Sequence, residues 1–184
     1  FSIAPYTRVC YNEVAKQLVL IGYKDNLVMS KAITNTQPIP MDHFTEIKIA
    51  NADITLADVC YSKELDRYCA ISSDSNKAYV YDGSGSKIGP IDATKWKEVT
   101  LPSSSNWIRI TYIPFYKVFF ALSSTGKCAI SFDGIIWEEA TLPSIKQGAS
   151  EYTNVAYVDT VKDKYLCLTA TDYDKIVTVG LDVP

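Results

Sequence analysis

Ser131, Asp133, Gly134 and Trp137 crowd into one short part of "CAISFDGIIWEEATLP" (128–143), with Glu138 and Glu139 directly behind them. A hydroxyl and neighbouring carboxylates are the groups that acid–base and nucleophilic chemistry draws on. Their spacing argues against that use. Adjacent strand residues point to opposite faces, so Glu138 and Glu139 cannot flank one bond. The lone histidine, His43, lies in the Pro-rich segment "QPIPMDHF". A Ser-His-Asp relay therefore has one candidate base and no nucleophile motif. "DGSGSKIG" (82–89) is glycine-rich but opens no helix, so it reads as a loop and not as a phosphate cradle.

Cys10, Cys60, Cys69, Cys128 and Cys167 sit inside apolar runs, form no C-x-x-C pair and do not cluster with His43. No metal site and no cofactor are expected. The thiols read as small hydrophobes of a chain made in a reducing cytoplasm. The expectation from these groups is a protein that is not an enzyme.

The elements that carry these residues repeat. "YTRVCY", "LADVCY", "WIRITY" and "YTNVAY" end at Tyr11, Tyr61, Tyr112 and Tyr157, at steps of 50, 51 and 45 residues. Two positions before each tyrosine stands a β-branched residue: Val9, Val59, Ile110 and Val155. A second apolar run follows each ("LVLIGY", "YCAISS", "FFALSS", "YLCLTA"), then a polar turn and a third short run ("LVMS", "AYVY", "CAIS", "IVTV"). A fourth run completes the first three units ("FTEIKIA", "WKEVTLP", "WEEATLP"). Four short strands per unit of about 45 residues is the arithmetic of a propeller blade. No window sustains helical periodicity.

The sequence thus predicts an all-β chain: one four-bladed β-propeller domain spanning 1–184, of four-stranded antiparallel blades. The blades fall at approximately 6–50, 56–102, 107–143 and 152–184 plus 1–5. The last unit lacks a fourth run, and "FSIAP" (1–5) resembles the end of one. Residues 1–5 are expected to pair with the strand near 176–180 and close the ring, which removes an exposed edge.

On this frame 128–143 is the hairpin between the third and fourth strands of the third blade. Asp133-Gly134 is a strong turn signal, because Asp accepts from turn amides and Gly takes positive φ without penalty. The pattern S-x-D-G-x-x-W resembles a shortened Asp-box, the hairpin motif of bacterial-neuraminidase-type repeats found in sialidase propellers, other Asp-box propellers and tailed-phage tail proteins. "VYDGSGSKIGPIDATKW" (80–96) looks like a stretched second copy, keeping Asp82, Gly83 and Trp96. The resemblance implies a structural role for Ser131, Asp133, Gly134 and Trp137, away from any catalytic face. A sialidase-type enzyme would also need three arginines on its carboxylate-binding face, and this chain holds Arg8, Arg67 and Arg109 alone, with no Phe-Arg-Ile-Pro segment.

Function is expected instead at the axis and on two long loops. Alternation puts the β-branched residue and the tyrosine of each first strand on one face, read as core between blades. The other face, turned to the axis, carries a middle position reading Arg8, Asp58, Arg109, Asn154 around the ring. Buried charges must be paired, so these four read as an ion-pair belt. An aromatic tier of Tyr6, Trp107 and Tyr152 beside them would suit a sugar or an anionic ligand. Loops 31–43 and 83–95 are insertions in the same hairpin of adjacent blades, where repeat scaffolds commonly bind.

A net charge of −3 with no Lys/Arg stripe excludes a nucleic-acid groove. No run of 18 apolar residues is present, so membrane insertion is not expected. The chain begins at Phe1 without a methionine, as an excised fragment would. The expected partner is a protein or a cell-surface glycan. By the resemblance, the chain is a tailed-phage tail component located in the virion. A sialidase-like carbohydrate-active fragment and a homo-oligomeric structural subunit are the alternatives.

Overall fold

The computed structural model describes residues 8–21, 26–30, 44–49, 54–86, 91–142, 152–170 and 176–180. Among these residues fifteen strands form four antiparallel sheets. Blade 1 is β1 (Arg8–Asn12), β2 (Gln17–Ile21), β3 (Asn26–Ser30) and β4 (Phe44–Lys48). Blade 2 is β5 (Leu56–Ser62), β6 (Arg67–Ser72), β7 (Lys77–Tyr81) and β8 (Trp96–Thr100), with a 3-10 turn at Ala93–Lys95. Blade 3 is β9 (Trp107–Ile113), β10 (Val118–Ser123), β11 (Lys127–Ser131) and β12 (Glu138–Thr141). Blade 4 is β13 (Tyr152–Asp159), β14 (Lys164–Ala170) and β15 (Val177–Gly180). In every sheet the spatial order of the strands is their order in the chain. This is the four-bladed β-propeller that the repeats predict. The proposed fourth strand of the last blade, residues 1–5, lies outside the described residues.

Each blade starts the same way. The first two strands pair antiparallel, Tyr11 opposite Leu18, Tyr61 opposite Tyr68, Tyr112 opposite Phe119 and Tyr157 opposite Leu166. In the first three blades the connecting turn ends on a residue with positive φ: Lys16 (53°), Asp66 (50°) and Lys117 (55°). Few non-glycine residues accept that conformation, so its threefold recurrence marks one inherited turn. The second strands of blades 2 and 3 are covered on both faces. β10 is buried along its whole length and β6 at every residue except half-buried Arg67, which is why "YCAIS" and "VFFALS" read as continuous apolar runs and do not alternate.

Apolar clusters join the blades in sequence. Val19, Ile21 and Ile47 of blade 1 meet Val59, Tyr68, Tyr79 and Trp96 of blade 2. Cys60, Cys69 and Ile71 on the other face of blade 2 meet Ile110, Tyr112, Phe119 and Trp137. Val118, Phe120, Leu122 and Cys128 of blade 3 meet Val155, Leu166 and Leu168 of blade 4. Each fully buried side chain of this size contributes roughly 1.5–3 kcal/mol, so these three junctions hold the stack. All five cysteines are free, with Cys60, Cys69 and Cys128 buried as packing residues.

The β-branched residue and tyrosine of the first strand therefore pack against the preceding blade in blades 2, 3 and 4. Blade 1 departs from the expectation. Val9 is 60% exposed and Tyr11 54% exposed, because among the described residues no apolar cluster joins blade 4 to blade 1.

Candidate functional site at the axis

Inner strands β5, β9 and β13 share a local irregularity. Their registers against β6, β10 and β14 shift between Leu56 and Asp58, at the step from Trp107 to Arg109, and between Tyr152 and Asn154. Ala57, Ile108 and Thr153 are thus the extra residues of a bulge at one recurring position. A bulge re-aims the side chains on either side of it. Leu56, Trp107 and Tyr152 are turned to the face of Val59, Ile110 and Val155, against the preceding blade, while Asp58, Arg109 and Asn154 point to the axis.

Arg8, Asp58, Arg109 and Asn154, one from each blade, line a single cavity of about 480 Å³ with Val9, Leu20 and Val155. The structure brings together the four polar residues expected there. Their described hydrogen bonds run to backbone groups and across neighbouring blades. Asp58, 7% exposed, accepts at Oδ1 from the amide of Val59 (2.9 Å) and at Oδ2 from the amide of Ile110 (3.0 Å), tying blade 2 to blade 3. Arg109 donates from Nε to Asn154 Oδ1 (2.7 Å) and from Nη1 to the Ile108 carbonyl (2.7 Å), tying blade 3 to blade 4. Asn154 Oδ1 also accepts from the amide of Val155 at 3.0 Å, the same one-residue reach that Asp58 makes. Asp58 and Asn154 are equivalent braces, each fastening its own bulge and one neighbour.

The electrostatics follow from burial. Desolvation raises the Asp58 carboxyl to about 6, outweighing the two amides and the positive charges of Arg109 and Arg8. Desolvation also lowers Arg109, with Arg8 adding repulsion and Asp58 opposing both. Asp58 is the one carboxylate among the cavity's described lining residues.

The aromatic tier does not form. Trp107 is fully buried in the core between blades 2 and 3, and Tyr152 packs on the core between blades 3 and 4. The bulge is the physical reason, since a shift of one residue moves a side chain to the other face of a strand. Tyr6 lies outside the described residues.

At the rim of blade 3 the turn Ser131–Trp137 is closed by its own polar groups. Asp133 Oδ1 accepts from the amides of Ile135 (2.7 Å) and Ile136 (2.9 Å) and from the Ser131 hydroxyl (3.1 Å). The amide of Gly134 donates to Ser131 Oγ at 2.8 Å, and Trp137 Nε1 to the Gly134 carbonyl at 2.9 Å. Gly134 has φ of 80°, and a Cβ there would stand 3.1 Å from Val80 and 3.3 Å from Phe119. Arg67 of blade 2 caps the turn by donating to the Asp133 carbonyl at 2.9 Å. This is structural bracing. In the segment at 80–96, Asp82 is bound to Lys97, and among the described residues no turn amide donates to it.

Burial pushes the Asp133 carboxyl up, but the amides of Ile136 and Ile135 and the Ser131 hydroxyl outweigh it and hold it below its ordinary value. Its contribution is present above the unfolded carboxyl pKa of 3.8 and is lost as pH falls through the lower folded value. Asp133→Ala is expected to cost about 1–2 kcal/mol at neutral pH, read as a lower urea midpoint. The deficit against wild type should shrink in acid. A variant as stable as wild type would show that the turn is held by packing alone.

Of the two long loops, 31–43 lies outside the described residues, as does His43. The described part of 83–95 is fastened down. Asp66 accepts from the hydroxyls of Ser84 (2.6 Å) and Ser86 (3.0 Å), Asn12 donates to the Gly85 carbonyl (2.6 Å), and Ile91 is buried in the core between blades 1 and 2. The sequence reading missed this clamp, in which Asn12 opens the first turn of blade 1 and Asp66 closes the equivalent turn of blade 2. Among the described residues no group of His, Cys, Asp and Glu is arranged to hold a metal ion, and no helix is long and apolar enough to cross a membrane.

Fold and cavity together define a β-propeller with a polar axial cavity. No family model and no curated protein matches the sequence. Solved structures do resemble the fold. YCF48 from Cyanidioschyzon merolae is similar with a TM-score of 0.57 at 10% identity, covering 98% of this chain and 57% of that one. YCF48 bound to D1 peptide is similar at 0.57 and 10% identity, covering 88% and 47%. An engineered GH43 glycoside hydrolase with endo-xylanase and exo-arabinofuranosidase activity is similar at 0.54 and 10% identity, covering 96% and 38%. The chain therefore spans 38–57% of the length of these propellers. The likeness is one of fold.

Proposed function

We propose that this chain is a non-enzymatic binding or assembly module whose axial cavity receives an anionic ligand, a carboxylate carried by an acidic glycan or by a protein segment. The carrying observation is the convergence of Arg8, Asp58, Arg109 and Asn154 from four blades on one cavity of about 480 Å³, within the range of ligand sites. Asp58 spends both oxygens on backbone amides, and Arg109, held by Asn154 and the Ile108 carbonyl, sets a guanidinium in the cavity wall. The one carboxylate among the described lining residues does not make the pair that two-carboxylate glycoside hydrolysis uses. That one similar propeller is bound to a peptide supports a protein partner, and a glycoside hydrolase among the others supports a glycan. The narrower assignment, a tailed-phage tail component carried in the virion and recognising a host surface ligand, rests on the resemblance of the 131–137 hairpin.

A glycan array extended with acidic peptides tests the reading. Binding should be confined to carboxylate-bearing probes and weaken about tenfold or more in Arg109→Ala, the size of a lost charge-assisted hydrogen bond. Equal binding by Arg109→Ala would overturn it. Turnover of a glycoside, abolished by the same substitution, would establish the sialidase-like alternative instead.

A further inference from the structure

Three of the four blades bury the face that carries Val59, Ile110 or Val155, and each buries it in the same way. The cover is always the opposite face of a like blade: Val19 and Ile21 at the first junction, Cys69 and Ile71 at the second, Phe120 and Leu122 at the third. Blade 1 carries an equally apolar face. Val9 and Tyr11 of β1 are more than half exposed, Leu20 of β2 stands directly opposite Val9, and Val14 in the adjoining turn is 42% exposed. The complementary face, on blade 4, is partly exposed among the described residues. On blade 4, Ala156 is exposed, and Cys167 and Thr169 on the same face are half-buried. Ala156 pairs with Cys167 as Cys60 pairs with Cys69, so these residues occupy the covering positions of the second junction.

We propose that the face of Val9, Tyr11 and Leu20 docks the blade 4 face of a second copy of this chain, head to tail. Among the described residues no apolar cluster joins the two faces within one chain, and Val9 and Val155 both line the axial cavity. The blade 4 face of a second copy repeats the covering positions of the second junction and can serve as a further blade. Such a contact is heterologous, uses a different surface on each partner, and closes into a ring or propagates according to its rotation. The docked blade also walls the cavity on the side of Val9 and Leu20, which makes the axial site one that the second copy completes.

Sedimentation velocity of the 184-residue chain tests this. Wild type should move with rising concentration from the monomer to a species of at least twice its mass. Val9→Glu with Tyr11→Glu should abolish that species, because two charges would be forced into an apolar junction. Thr169→Arg, on the other partner surface, should abolish it independently. The substituted sites are exposed or half-buried, and circular dichroism should report an unchanged fold. In Val9→Cys, a bismaleimide should link the new thiol to Cys167 at twice the monomer mass, and Cys167→Ser should prevent the link. A strictly monomeric wild type would overturn the proposal, as would association that ignores both substituted faces. A link formed at monomer mass would overturn it too, showing the ring closed on itself.

Discussion

Trp107→Ala should lower the free energy of unfolding by about 3–5 kcal/mol, read as a fall in the urea midpoint at unchanged slope. The indole is fully buried and belongs to the cluster that joins blades 2 and 3. It also donates from Nε1 to the Ser103 carbonyl at 3.2 Å, pinning the segment that leads into β9. Removal leaves a cavity at a junction between two rigid sheets, which relax poorly, and strands a carbonyl. That loss is a large share of the stability of a domain this size. Trp107→Phe keeps most of the volume and should recover more than half of it. A loss in Trp107→Ala below about 1 kcal/mol would mean that the two sheets close over the gap, and that the junction is softer than its burial implies.

The same tryptophan shows where the sequence was readable and where it was not. The repeat of strand, turn, strand is carried by composition and spacing, so Tyr11, Tyr61, Tyr112 and Tyr157 disclose four blades without any coordinates. The axial position is also legible, because a polar residue three places before the repeat tyrosine recurs in all four units. Alternation alone then puts Trp107 and Tyr152 beside Arg109 and Asn154. It fails there because a bulge adds one residue at Ala57, Ile108 and Thr153, and a bulge leaves no mark in composition. A faint signal existed. In a sheet packed on both faces, a large aromatic at the mouth of an inner strand belongs with the core more readily than with a charged belt. The amide partners of Asp58 escape the sequence for a related reason. Backbone amides freed at an irregular strand are invisible in a sequence, yet they are the donors that a buried carboxylate meets first.

Asp58→Asn should separate from wild type by an amount that depends on pH. In the folded protein the Asp58 carboxyl is raised from 3.8 to about 6, so the folded state holds this proton more tightly than the unfolded state does. Protonation therefore favours the fold. The stabilising contribution of the protonated acid is complete below the unfolded value, declines as pH rises towards about 6, and is absent above it. Two units correspond to roughly 3 kcal/mol. The cause is burial first, opposed by the amides of Ile110 and Val59 and by Arg109 and Arg8, while Cys10 and Cys60 nearby are themselves pushed up and remain neutral. Asparagine keeps one oxygen for an amide, loses the second acceptor and does not titrate, so its own deficit is constant with pH. Carboxylates elsewhere, Asp133 and Asp66 among them, shift in the opposite direction, and the difference between the two proteins removes them. Urea unfolding of both at roughly pH 4 and roughly pH 7.5 should show wild type gaining about 2–3 kcal/mol over Asp58→Asn on acidification. A difference that stays flat between the two conditions would mean that Arg8 and Arg109 balance the buried charge. The axis would then be the ion-paired belt that the sequence alone suggests.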